Sequence, residues 1–177
     1  SMADVMHSPS LAELDQGFPQ LCQARLDRLV PLLKEHQAML CTAESCTGGW
    51  IAKVCTDLAG SSEWFDCGFL TYSNTAKQRM LGVSAGSLTR FGAVSDQVAR
   101  EMALGALANS QAGIGVSVTG IAGPGGGSAA KPVGLVYHAM AQKAADSSDS
   151  EGQAPSCYSL RWEFSGNRQQ VRQATVI

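Results

Sequence analysis

Apolar positions along the chain fall into alternating helical and strand-like runs. Leu21, Leu26, Leu29, Val30, Leu32 and Leu33 recur at helical spacing and predict a helix over Leu21–His36. Pro31 interrupts that pattern and predicts a kink or a late helix start. Ala38–Thr42 reads as a short buried strand, and from Thr47 onward Trp50, Ile51, Val54 and Leu58 return to the helical period. Phe65–Tyr72 reads as a second strand, followed by a short helix over Asn74–Met80. Ser84 and Ser95 stand where N-caps belong, the second opening an alanine- and leucine-rich helix over Asp96–Ser110. Ala112–Val118 is a continuous apolar strand, Val133–Ala141 and Cys157–Phe164 are two more, and a last helix begins at Asn167. Strands alternating with helices predict an α/β fold, a three-layer α/β/α sandwich. The last two strands follow one another without a helix between them, so the expected sheet is mixed, though largely parallel.

Composition narrows the class. Apolar residues make up 45% and charged residues 16% of 177, as in an ordinary globular protein with one sizeable core. A net charge of -2 gives no field for nucleic acid or an anionic membrane, so an anionic ligand needs a local site. Six cysteines, mostly inside apolar runs and without CxxC spacing, read as small buried hydrophobes in a reducing compartment rather than as a disulfide framework. His7, His36 and His138 carry no metal-ligand spacing, so no metal is expected. The start lacks a signal-peptide pattern, and no apolar run approaches the ~20 residues of a membrane span. The expectation is a cytoplasmic protein with no membrane or nucleic-acid partner, compatible with a homo-oligomer. Ser1-Met2 reads as an expression remnant, residues 1–17 as a disordered tail, and residues 18–177 as a single domain. The acidic, serine-rich stretch Ala144–Pro155 reads as a disordered loop.

Three segments carry candidate chemistry, each just after an expected strand, where open α/β sheets place their ligands. In Ala43-Glu44-Ser45-Cys46-Thr47-Gly48-Gly49, a tight strand-to-helix turn exposes the Ser45 hydroxyl beside free N–H groups suited to an oxyanion or phosphate. The plainer reading is that Ser45 or Thr47 caps the helix. Cys46 is a rival nucleophile without a histidine to support its thiolate. In Thr71-Tyr72-Ser73-Asn74-Thr75-Ala76-Lys77, Lys77 can reach the same crevice, with Tyr72 placed to orient the amine or relay a proton. A lysine base near neutral pH needs its pKa to fall from ~10.4 to about 7–8, at a cost of about 4 kcal/mol. The plainer reading is a solvated lysine beside a half-buried tyrosine. The run from Ser117 to Gly127 suits an anion nest, yet has neither GK[ST] nor a dinucleotide fingerprint, and reads equally as a flexible connection. With histidines and carboxylates sparse, serine plus lysine is the nucleophile–base pairing that the sequence best permits.

Taken together, the runs TAESCTGGWIAKVCTDLAGSSEWF, GFLTYSNTAKQRMLGV, GAVSDQVAREMALGAL, VTGIAGPGGGSAAKPVGLVY and FSGNRQQVRQAT resemble the CinA C-terminal domain family over roughly Leu21–Ile177. They are most like its stand-alone members, the nicotinamide-nucleotide amidohydrolases. The resemblance implies an α/β/α fold and hydrolysis of nicotinamide mononucleotide to nicotinate mononucleotide and ammonia, without a cofactor. It matches Ser45 to the family's nucleophile, Lys77 to its general base and Tyr72 to the tyrosine that accompanies the lysine. Thr119 and Gly120 fall on a second motif that lines the pocket, and Arg168 falls on a basic position for the substrate phosphate. Thr47, Gly48 and Gly49 join them as expected substrate-binding residues. Two other readings remain open: a non-catalytic module that binds a pyridine nucleotide, and an amidase for another small carboxamide.

Overall fold

The computed structural model describes residues 7–144 and 152–177. Ser10 opens the first helix, α1 (Leu11–Glu35). Its hydroxyl accepts the Glu13 N–H, and the Glu13 carboxylate accepts the Ser10 N–H, a reciprocal capping box. Residues 11–17, expected in the tail, are therefore helical, and Leu14 among them is buried. The break in α1 lies at Gly17 (φ −134°, ψ 18°) and not at Pro31. Pro31 sits on the exposed side of the helix, where a carbonyl left unpaired by its ring costs least. The stretches expected to be disordered, residues 1–17 and 144–155, lie in part (1–6 and 145–151) outside the described residues.

Five strands form one sheet: β1 (Leu40–Glu44), β2 (Phe65–Leu70), β3 (Ile114–Gly120), β4 (Leu135–Gln142) and β5 (Ser156–Glu163), in the order β2-β1-β3-β4-β5. β1 pairs in parallel with β2 and β3, whereas β3–β4 and β4–β5 are antiparallel. Four strands thus point one way and only β4 opposes them. The connection from Gly120 to Leu135 contains no helix, so it returns as a hairpin-like link and reverses the chain.

The remaining helices are α2 (Trp50–Thr56), α3 (Asn74–Leu81), α4 (Ala85–Phe91), α5 (Asp96–Ala108) and α6 (Arg168–Val176). Serines 73, 84 and 95 and Asn167 cap the last four through their side chains, each accepting the backbone N–H three residues on. The strand period of two sends alternate β1 side chains to opposite layers. Cys41 and Ala43 pack against Leu81, Val83, Val98 and Met102 under α3–α5. Leu40 faces the other way, onto Leu26 and Leu33 of α1, Cys55 of α2 and Trp64.

Connectivity fixes where a ligand can sit. From β1 the chain moves through α2 to β2 on one side, then through α3–α5 to β3 on the other. The strand order reverses between β1 and β3, leaving a crevice beyond their carboxyl ends.

Candidate active site

Ser45 is the first residue past β1, on the floor of that crevice. Its N–H donates to the Val118 carbonyl at 3.1 Å, extending the β1–β3 pairing by one residue, and the Gly48 N–H then closes a turn onto the Ser45 carbonyl at 3.1 Å. Glu44 anchors the turn from beneath. Its buried carboxylate accepts the Thr47 hydroxyl (2.6 Å) and the N–H groups of Ile51 (2.8 Å) and Ala52 (3.0 Å). Those N–H groups belong to the first turn of α2, so the helix start expected to bind an anion is already occupied. Neither Ser45 nor Thr47 caps that helix; the N-cap is Gly49 at φ +95°, and Glu44 supplies the oxygen. The Ser45 hydroxyl is thereby left for other work.

Lys77 enters from α3. Ser73 caps that helix just past the end of β2, so Lys77, one turn in, projects back over the strand ends. Its side chain is 1% exposed. Nζ lies 2.9 Å from Ser45 Oγ, 2.8 Å from the Thr71 carbonyl and 3.1 Å from the Tyr72 carbonyl. Two of these partners accept only, whereas the serine hydroxyl can also donate. The charged amine donates to all three oxygens; uncharged, it keeps two N–H bonds to the carbonyls and can accept the Ser45 O–H on its lone pair. A charged amine would sit here with no carboxylate partner. Burial accordingly brings the Lys77 pKa down to about 8 from its ordinary 10.5.

A cavity of about 280 Å³ opens above the pair. Ser45, Cys46 and Lys77 form its floor, Ala93, Val94 and Thr119 one wall, and the loop from Gly120 to Gly126 the other, with Tyr72, Asn74 and Arg168 at the rim. Thr119 donates its hydroxyl to the Ala93 carbonyl at 2.9 Å, tying β3 to the segment before α5. Gly120 permits the close approach of β4, since a Cβ there would lie 2.6 Å from Val136 Cγ2. Arg168 donates from Nη1 to the Gly123 carbonyl at 2.7 Å and reaches the Tyr72 hydroxyl at 3.5 Å.

Two expectations are corrected by this geometry. Thr47, Gly48 and Gly49 do not line the cavity, because the turn that presents Ser45 rolls them toward α6. The Tyr72 phenol does not touch the amine. Its side chain is 64% exposed and turned to Arg168, and only its main-chain carbonyl reaches Nζ. Sequence reasoning also passed over the Thr71 carbonyl, Asn74 and Arg172. Arg172 bonds the Cys46 and Thr47 carbonyls, and its one signal was its place one turn after Arg168 on the same helix. The rival nucleophile Cys46 is buried, which pushes its thiol up to about 11. Among the described residues, no group of three or more His, Cys, Asp or Glu is placed to hold a metal.

The model of the CinA C-terminal domain matches residues 23–177. This chain belongs to the CinA C-terminal domain family. Among CinA relatives, the nicotinamide-nucleotide amidohydrolase PncC of Enterobacter agglomerans is 55% identical over 136 residues, covering 76% of this chain and 77% of its own. The protein of the same name from Escherichia coli strain K12 is 53% identical over 145 residues, 81% of this chain and 82% of its own. Among solved CinA structures, the competence/damage inducible protein CihA of Agrobacterium tumefaciens superposes with a TM-score of 0.75 at 45% identity, covering 90% of this chain and 88% of that one. A CinA superfamily protein from Escherichia coli gives 0.77 at 34% identity over 96% and 90%. The mixed five-stranded α/β architecture is thus the family's fold.

Proposed function

We propose that this protein is an amidohydrolase that converts nicotinamide mononucleotide to nicotinate mononucleotide and ammonia, with Ser45 as nucleophile and Lys77 as base. The observation that carries the reading is the 2.9 Å contact between Ser45 Oγ and an amine held among neutral oxygens. The names of the relatives above supply the substrate.

Uncharged Lys77 takes the Ser45 proton as Oγ attacks the carboxamide carbon, forming a C–O bond and a tetrahedral oxyanion. The N–H of Cys46, on the cavity floor and without a backbone acceptor, stabilises that oxygen. Collapse breaks the C–N bond, and the lysine ammonium hands its proton to the departing nitrogen, which leaves as ammonia. Water, deprotonated by Lys77, then cleaves the ester and releases nicotinate mononucleotide and free Ser45. The pyridinium ring draws electrons from the carbonyl throughout. Arg168 at the cavity rim binds the phosphate. The six cysteines are all free thiols, which supports a reducing, cytoplasmic setting. No helix among the described residues is long and apolar enough to cross a membrane.

Ammonia release from the mononucleotide tests the reading directly. Ser45→Ala and Lys77→Ala should each lower kcat by at least about 10³-fold while the proteins stay folded. Tight binding without turnover by the unmodified protein would instead make it a nucleotide-binding module. Equal turnover of free nicotinamide would make it a general carboxamidase.

A further inference from the structure

Arg172 does not line the cavity, yet its guanidinium forks to two carbonyls of the turn that carries Ser45. Nε donates to the Cys46 carbonyl at 3.0 Å and Nη2 to the Thr47 carbonyl at 3.2 Å. The indole of Trp50 packs beneath the guanidinium, 5.4 Å from Cζ to the ring centroid. Gly48 gives the turn its left-handed bend beside the fork, at φ +63°. Among the described residues Arg172 makes no ion pair, so its charge is not neutralised by a carboxylate.

Each carbonyl it holds belongs to a peptide whose other end matters. The Cys46 carbonyl shares a trans peptide with the Thr47 N–H, which points the opposite way. The Thr47 carbonyl shares a peptide with the Gly48 N–H. That N–H donates to the Ser45 carbonyl, whose own peptide ends in the Cys46 N–H. A cation on both carbonyls therefore polarises two chains of peptide dipoles, and the one that starts at the Thr47 carbonyl ends at the Cys46 N–H on the cavity floor. We infer that Arg172 is a positioning residue for catalysis, a clamp that holds the turn and orients and polarises the Cys46 N–H as an oxyanion donor. The inference rests on the amidohydrolase reading above.

Such a clamp acts on the developing oxyanion and little on the bound ground state, so it should appear in kcat rather than in KM. Arg172→Met should lower kcat for the mononucleotide by about 10–100-fold with KM changed by less than about threefold. Arg172→Lys keeps the charge but cannot fork to two carbonyls, and should recover part of the loss. Both are assayed beside circular-dichroism melts, at a temperature where the folded fraction is complete. If the methionine variant does not fold, the lysine variant carries the test with the same expected split. Unchanged kcat in a folded variant, or a rise in KM at constant kcat, would overturn the role of Arg172 while Ser45 and Lys77 dependence stands. Absence of turnover in the unmodified protein would overturn the amidohydrolase reading, and this inference with it.

Discussion

A lysine amine buried among neutral oxygens carries a free-energy penalty whenever it is protonated, and this sets both the activity and the stability of the chain against pH. Lys77 titrates near pH 8 when folded and near 10.5 when free. Below pH 8 the folded state must hold a charge that burial disfavours, and the penalty is present in full. Between pH 8 and 10.5 the unfolded chain binds a proton that the folded chain has released, so stability rises with pH. From pH 7 to 9 the gain is about 1.4 kcal/mol. Buried thiols act in the opposite sense as the pH approaches and passes 9, since Cys22, Cys46 and Cys67 are pushed up to about 11 and Cys55 to about 12. The comparison with Lys77→Met cancels them. Urea titrations of the two proteins at pH 7 and 9 should therefore show the unmodified chain gaining about 1.4 kcal/mol relative to the variant over that interval. With Lys77 as the proposed base, kcat/KM should climb through an apparent pKa near 8 to a plateau. A rate that is flat from pH 6 to 10 would mean that no amine of this kind is the base.

Between helices, the tightest constraint on the site is far from it. Gly105 of α5 lies against the last residue of α3, so closely that a Cβ would stand 2.0 Å from the Leu81 carbonyl oxygen. That contact is backbone on both sides and cannot be relieved by a rotamer change. Lys77 sits one turn before Leu81 on the same helix, so any push on α3 moves the amine. Gly105→Ala should therefore destabilise by about 1–3 kcal/mol and lower kcat together, as thermal melts and ammonia release would report. At this scale much was legible in the sequence: the caps Ser84 and Ser95 and the strand-to-helix turn at Ser45 stand close to where spacing and N-cap chemistry put them. The opening of α1 was not, because Gly17 and Pro19 interrupt its period and only the Ser10–Glu13 box marks it. The destinations of individual side chains were illegible too. Glu44 offered no clue that it turns beneath the sheet to cap α2, and Tyr72 none that only its carbonyl serves the amine. Neither fact depends on residue type alone; each depends on which strand lies next to which.

Across the whole molecule, segments from β1, α3, the end of β3 and α6 meet at one cavity only because the strand order brings β2 and β3 to either side of β1. The contact between Ser45 and Lys77 spans 32 residues, and no local pattern encodes it. The same convergence decides how an anionic substrate is held. With a net charge of -2 the protein has no attractive field to draw a phosphate in, so selection must come from a single close cation. Lys77 is unsuited, because the role proposed for it requires the uncharged form, which leaves Arg168 as the cation that lines the cavity. Its Nη1 is already engaged by the Gly123 carbonyl, an anchor that fixes the rest of the guanidinium at the rim. A charge-assisted hydrogen bond of this kind contributes about 1.5–3 kcal/mol, or roughly 10–150-fold in affinity. Arg168→Gln should therefore raise KM for the mononucleotide by about that factor while leaving turnover of the phosphate-free riboside unchanged, a split that initial-rate kinetics on both compounds would resolve. Equal losses on the two substrates would place the role of Arg168 in shaping the Gly123 loop, and the phosphate would then have to be met by the N–H groups of that loop.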